Sequence, residues 1–305
     1  MKAEREPSGV LVVKKHAGIT SHDIVGMVRR LFGTRQVGHT GTLDPMATGV
    51  LVVLVGRAVK ASEYLCGEKK TYQALLRLGL TTDTEDSTGT VLSTCGNLPD
   101  FAEVLSVLPH FRGEIRQIPP MYSALKVNGQ KLVDLARRGK TIERAPRSVT
   151  VYSLSASPSS EKSEIRLDVT CSGGTYIRTL CADIGRELGC GGVMADLCRT
   201  EAGGFSIRQA YSIEELEKMS PEERVACLLP VESLFGSLPE LRLSAFYERL
   251  IRGGCAVACK KIQADFPLGT RIRFYTENGV FFALGEIIGT DEGLAAKAVK
   301  TFVLE

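Results

Sequence analysis

The spacing of apolar and polar positions changes several times along the chain, and each change marks an element. Val10 to Val13 is a short continuous apolar run ending at Lys14 and Lys15, the pattern of a strand. A helix is predicted next, with Ser21 as its N-cap, Asp23 in the first turn and Ile24, Val25, Val28, Leu31 and Phe32 along one side; Gly33 ends it. A glycine-punctuated loop, Gly38 to Pro45, leads into Val50 to Val55, whose unbroken apolar character predicts a strand buried on both faces. Tyr72 to Leu80 alternates as a strand, and Thr81 to Gly89 reads as an exposed acidic turn. Asp100 caps a helix expected over residues 101–111, Ile165 to Cys171 alternates, and a helix from Thr175 to Leu188 closes at Gly189. Ser212 with Glu215 and Ser220 with Glu223 form two capping boxes, the second with Pro221 at the first helical position. Near Leu238-Pro239 the composition changes, and Arg271 to Tyr275 and Val280 to Leu284 flank Asn278-Gly279, a hairpin signal because that pair tolerates positive φ at both turn positions. The reading is therefore two domains, residues 1–237 and a small β-rich unit at 238–305.

Composition narrows the class without naming a function. Of 305 residues, 44% are hydrophobic and 24% charged, enough to build a sizeable core. No apolar run approaches the roughly 20 residues of a membrane helix, and the mixed charges of residues 1–6 are not a secretory signal, so a cytoplasmic protein is expected. Nine scattered cysteines, Cys66 first among them, read as reduced core residues; Cys255 and Cys259, the one close pair, lack the second pair or histidine of a metal site. The net charge is only +3, but residues 112–147 carry nine basic side chains against three acidic ones, +6. Such a stretch is either a solvated face or an element that contacts phosphates.

Exclusions come next. No dinucleotide fingerprint follows a strand, no phosphate-binding Walker loop occurs among 31 glycines, and four histidines supply no zinc-protease motif. Asp83 to Asp86 has a calcium-loop look, but Thr94 stands where the bidentate glutamate belongs. Redox, ATP-driven and metal-hydrolytic chemistry are thus disfavoured. Asp44, stiffened by Pro45, suits covalent or acid–base work on a placed atom, yet an aspartate that merely caps a turn reads equally well. His39 faces the same choice between stacking on a base and ordinary polar satisfaction.

Gly38-His39-Thr40-Gly41-Thr42-Leu43-Asp44-Pro45-Met46-Ala47-Thr48-Gly49 closely resembles the catalytic motif of the TruB family of tRNA pseudouridine synthases. Four more blocks follow in the family's order: Lys69 to Tyr72, Gln117 to Lys126, Gly174 to Leu180 and Leu197 to Thr200. The resemblance spans about residues 9–208 and implies an α+β fold: a central mixed, largely antiparallel sheet flanked by helices, with a PUA-like RNA-binding unit at the C-terminus. It implies isomerisation of a uridine, at position 55 in the T-arm of tRNA, with no cofactor and a monomeric enzyme. Asp44 would be the catalytic carboxylate, as nucleophile or as base; Arg178 would pair with it and hold it ionised and oriented. Tyr72 would lie against the uracil or remove its C5 proton, Tyr176 and Leu197 would line the base pocket, and His39 would fill the space of flipped bases. The basic stretch 112–147 coincides with the family's RNA-gripping thumb, putting Lys126, Lys131, Arg137, Arg138 and Lys140 on the RNA backbone. One departure is Lys15-His16-Ala17-Gly18, where the family has proline after the lysine; Lys15 is a weaker substrate contact for it. The readings from other classes are an RNA chaperone with a vestigial site, a glycosidase, which usually needs a second acid, and a guide-RNA-dependent relative.

Overall fold

The computed structural model describes residues 6–65, 68–123, 125–127 and 129–302. Cys66, Ala124 of the Gln117 to Lys126 block and residues 1–5 lie outside them.

The chain opens with β1 (Gly9–Lys15), α1 (Ser21–Phe32), β2 (Val37–His39) and β3 (Thr48–Val55). β4 (Lys70–Leu78), the small hairpin β5 (Leu80–Thr82) and β6 (Val91–Thr94), α2 (Phe101–Val107) and β7 (Gly113–Gln117) follow. A short hairpin, β8 (Lys126–Val127) and β9 (Gln130–Lys131), leads into α3 (Leu132–Ala136), then β10 (Arg147–Pro158), β11 (Glu164–Cys171), α4 (Ile177–Glu187), β12 (Gly192–Ala202) and β13 (Phe205–Ser206). The helices α5 (Ile213–Lys218) and α6 (Pro221–Ala226) precede β14 (Glu240–Leu243), α7 (Ala245–Arg252), β15 (Val257–Ala258), β16 (Arg271–Thr276), β17 (Phe281–Thr290) and β18 (Gly293–Thr301). No helix among the described residues is long and apolar enough to cross a membrane.

One mixed sheet runs β1-β3-β12-β4-β11-β10-β7, and a second runs β14-β16-β17-β18-β15. The expected α+β architecture, with a large and mostly antiparallel sheet and a β-rich C-terminal part, is what forms. The burial of β1 and β3 on both faces has a plain cause. Leu11, Val13, Leu51, Val53 and Val55 pack under α1 and α5, while Val10, Val12, Val50, Val52 and Leu54 meet Tyr275, Phe281 and Leu284 of the second sheet. Phe235, Phe281 and Phe302 close that second contact, with ring centroids 5.6 to 6.3 Å apart. β4, β10 and β11 alternate instead, because only one of their faces is covered, by α2 and α4.

Four local expectations are corrected. The N-cap of α1 is Thr20, whose hydroxyl accepts from the Asp23 amide at 3.1 Å, not Ser21. The helix expected from Thr175 begins at Ile177, with Tyr176 as its cap residue. In the β16–β17 hairpin only Gly279 takes positive φ, +78°; Asn278 does not, and the three residues between Thr276 and Val280 make a turn closed by a bulge rather than a two-residue loop. The strand expected to reach Leu80 also breaks after Leu78, where Gly79 separates β4 from β5.

Candidate active site

β12 joins β3 in parallel over only two residue pairs, Cys198 with Thr48 and Arg199 with Gly49, while the other pairings of the large sheet are antiparallel. The loop from Thr40 to Ala47 emerges at this junction, and three buried polar side chains hold it. Ser21, released from capping, accepts from the Leu43 amide at 2.9 Å and donates to the Leu43 carbonyl at 3.1 Å. Arg199, 1% exposed, donates to the carbonyls of Val50 (2.7 Å), Gly41 (3.0 Å) and Thr42 (3.3 Å). Lys15 donates to those of His16 (3.0 Å), Pro45 (3.1 Å) and Ala47 (2.6 Å). Gly49 lies against the Arg199 carbonyl at φ +102°; a Cβ there would stand 2.2 Å from that oxygen, so no other residue fits.

Lys15 was expected to touch substrate. Its side chain is instead 0% exposed beneath the loop, with its three N–H donors spent on carbonyls, so it is a positioning residue. Burial pushes its ammonium down to about 8, against the pull of the Asp44 charge.

Asp44 is left projecting, one-third exposed, and Arg178 of α4 reaches it as a fork: Nε to Oδ2 at 2.9 Å and Nη2 to Oδ1 at 3.2 Å. Such a two-point contact fixes the carboxylate plane as well as its charge. Each oxygen keeps a free lone-pair direction toward solvent. Arg178 is held from its other side by the carbonyls of Tyr122 (2.8 Å) and Thr84 (3.1 Å), with the Asp86 carboxylate 3.9 Å away.

Here the exposed acidic turn is corrected. Asp86 is buried, its Oδ1 taking hydrogen bonds from Thr84 Oγ1, Thr88 N and Thr88 Oγ1 at 2.6 to 3.0 Å. Glu85 sits at φ +63° and accepts from Thr179 Oγ1 at 2.7 Å; burial raises its carboxyl. The turn is the socket for Arg178. A cavity of about 310 Å³ lined by Thr81, Glu85, Arg186 and Gly191 opens beside this socket, and Asp44, Tyr72 and Tyr176 do not line it.

Tyr72 and Leu197 belong to the same buried cluster as Leu43, Ala47 and Ile177. Burial raises the Tyr72 hydroxyl, with Arg199 opposing, so the side chain is a neutral phenol at neutral pH. The Tyr176 peptide is clamped by buried Gln117, which donates to its carbonyl (3.1 Å) and accepts from its amide (3.0 Å). His39 stands edge-on to His22 at 5.7 Å, and its Nδ1 is buried without a partner among the described residues. Among the described residues no group of three or more histidine, cysteine or carboxylate side chains is placed to hold a metal.

Burial first, then the charges of His22, Arg199 and Lys70, push His39 down to about 4. A histidine lowered on folding takes up its proton more readily in the unfolded chain. Its contribution to stability is complete above the unfolded pKa, about 6.5, and is lost as pH falls toward 4. His39→Phe is expected to flatten that part of the stability curve, measured by urea unfolding at half-unit steps from pH 4 to 7. An unchanged slope would mean that His39 titrates normally.

Residues 29–177 match the family model for the TruB family pseudouridylate synthase N-terminal domain, and residues 178–236 that for the tRNA pseudouridylate synthase B C-terminal domain. The chain is 40% identical over 295 residues to tRNA pseudouridine synthase B of Clostridium kluyveri, covering 97% of this chain and 99% of that one. It is 44% identical over 290 residues to tRNA pseudouridine synthase B of Pseudomonas fluorescens, covering 94% and 93%. The chain belongs to the TruB family. Its fold is that of a protein solved as a Cbf5-Nop10-Gar1 complex, with a TM-score of 0.75, 26% identity and coverage of 97% of this chain and 85% of that one. It is accordingly an isomerase of the pseudouridine synthase class.

Other features of this TruB-family chain were partly hidden in its sequence. Arg199 and Gln117 lay inside the quoted blocks but carried no assigned role, and Asp86 lay in the turn read as exposed. Their signal was a polar residue within an otherwise apolar or structured segment, which burial turns into a hydrogen-bonding duty. Lys126, Lys131, Arg137, Arg138 and Lys140 are all exposed, on the β8–β9 hairpin and just beyond α3. Their element is tied to the site through backbone: Val133 N donates to the Ser123 carbonyl at 3.1 Å, and the neighbouring Tyr122 carbonyl accepts from Arg178.

Proposed function

We propose that this enzyme converts the uridine at position 55, in the T-arm of tRNA, to pseudouridine, with Asp44 as the catalytic carboxylate. The observation that carries the reading is the Arg178 fork on a carboxylate otherwise free to face substrate. The reaction breaks the N1–C1′ bond, turns the uracil and joins C5 to C1′. Asp44 acts at the ribose, by adding to C1′ or by taking the 2′ proton, and either route needs an ionised oxygen aimed outward. The neutral phenol of Tyr72 favours packing on the ring over removal of the C5 proton. Tyr176 and Leu197 would flank the extruded base and His39 the space it leaves, which helps offset the few kcal/mol that flipping costs.

On this reading the enzyme works as a cytoplasmic monomer without a cofactor, and residues 238–305, packed on the first sheet, add RNA contacts. Release of tritium from C5-labelled uridine in a tRNA transcript tests it. No release from a T-arm substrate would overturn it.

The exposed basic groups at 126–140 would grip the RNA backbone. Changing Arg137, Arg138 and Lys140 together to glutamine should weaken tRNA binding and make log Kd against log salt shallower by about two. A salt slope equal to that of the native protein would remove the thumb from the interface.

A further inference from the structure

The loop that carries Asp44 has a second charged neighbour, one that neither the fold nor the chemistry above employs. Lys70, the first residue of β4, extends its ammonium along the open face of Gly41. A Cβ on that glycine would lie 2.8 Å from Lys70 Nζ and 3.5 Å from Cε, with Arg199 Nη1 at 3.8 Å. Gly41 therefore makes room for the ammonium. Lys70 is half-buried, yet it makes no hydrogen bond and no ion pair among the described residues.

Its surroundings do not neutralise it. Arg199 has its guanidinium on three carbonyls, not on a carboxylate. Cys171 and Glu68 both act on Lys70, but neither Glu68 nor any other described carboxylate forms an ion pair with it. Burial and Arg199 push the Lys70 ammonium down, the mark of a cation held without compensation. Lys69, beside it in sequence, is by contrast exposed and lies 4.6 Å over the Tyr152 ring.

The loop itself adds a donor. The Gly41 carbonyl points at Arg199, and in a trans peptide the following amide points the opposite way. The Thr42 N–H thus faces away from Arg199, and no partner for it is found among the described residues. An ammonium against Gly41 and a free amide at Thr42, three and two residues before Asp44, suit an anion. The anion an RNA presents along its whole length is the phosphodiester.

We propose that Lys70 seats one backbone phosphate of the RNA, next to the nucleotide whose base is turned out toward Asp44. This rests on the RNA reading above. It adds a fixed point inside the cleft to the grip of the thumb outside it, so the bound strand would be held at both ends of the flipped residue.

The test uses the full-length protein and T-arm stem-loops that each carry one neutral methylphosphonate linkage. The native protein should lose about tenfold in affinity at one linkage. Lys70→Gln should bind the unmodified stem-loop about tenfold more weakly, chiefly through KM, and lose nothing further at that linkage. Its log Kd against log salt should be shallower by about 0.7, the value for one phosphate on a single strand. Lys70→Arg should keep the native pattern, and Lys69→Gln should still feel the modified linkage. No ion pair is broken, so the Lys70→Gln unfolding midpoint should not fall. A Lys70→Gln protein with the native salt slope and native sensitivity at every linkage overturns the proposal. So does a variant that melts early or loses kcat with binding intact, since that would make Lys70 a support for the Gly41 loop. If the native protein neither binds nor turns over the unmodified stem-loop, the RNA reading itself fails, a result distinct from either.

Discussion

Replacing Asp44 by asparagine is expected to lower the rate of pseudouridine formation by at least about four orders of magnitude, as loss of a reacting group does. tRNA affinity and the unfolding midpoint should stay close to native. The reason lies in how Arg178 is held. Its guanidinium keeps the carbonyls of Tyr122 and Thr84 and the charge of Asp86 when Asp44 is neutralised, so no buried cation is stranded. Asparagine can offer the fork only one oxygen, and that oxygen is a poor nucleophile and a poor base. Single-turnover tritium release on labelled tRNA reads the rate, and filter binding on the same sample reads the affinity. A variant that keeps more than a hundredth of the native rate would move the chemistry to another residue.

The second large effect is on folding as well as rate. Arg199→Met keeps the length of the side chain but strands the buried carbonyl of Val50 and removes the donor shared by the half-covered carbonyls of Gly41 and Thr42. Each unsatisfied acceptor costs about 1–3 kcal/mol, and after relaxation the sum should be about 3–5 kcal/mol. For a chain of this size that is a fall of about 5–8 °C in Tm. The loop is also released on the side opposite Lys15, and a shift of even 1 Å at Asp44 should cost about a hundredfold in kcat. Calorimetry and initial rates measure the two effects separately. A variant melting within about 2 °C of the native protein would show that the loop finds other donors.

Much of the fold could be read in advance where a local rule and the tertiary structure agree. The capping boxes at Ser212 and Ser220 and the cap at Asp100 formed as the sequence predicts. The continuous apolar runs of β1 and β3 ended up covered on both faces. Misreadings fall where a distant residue decides the matter. Thr20 and Ser21 are both good caps, and only the position of Leu43, 22 residues on, diverts Ser21 to the loop. Four acidic or hydroxyl residues in a row look solvated until Arg178 arrives from 94 residues away and donates to the Thr84 carbonyl. Lys15 looked doubtful for want of a proline. Its order comes instead from carbonyls 30 and 32 residues later, which no neighbouring residue reports.

Asp44 itself was an even choice between reactive group and turn cap when judged by its own segment. The local structure retains both features: its carbonyl closes a tight turn to the Ala47 amide at 3.0 Å, while its side chain meets Arg178. The backbone closes the turn, and the carboxylate is left to Arg178 and, on the proposed reading, to the substrate.

The aromatic contact of Phe235, Phe281 and Phe302 has a consequence for how this protein tolerates shortening. The second sheet is the lid of the interior that Val10, Val12, Val50, Val52 and Leu54 form on the first. A premature stop near residue 237 would not yield a leaner enzyme with reduced RNA affinity. It would uncover a broad wall of valine and leucine on flat β-structure, the kind of surface that drives insoluble self-association. The tail thus behaves as an obligatory wall of the catalytic part, and its loss would be felt first as a failure of solubility.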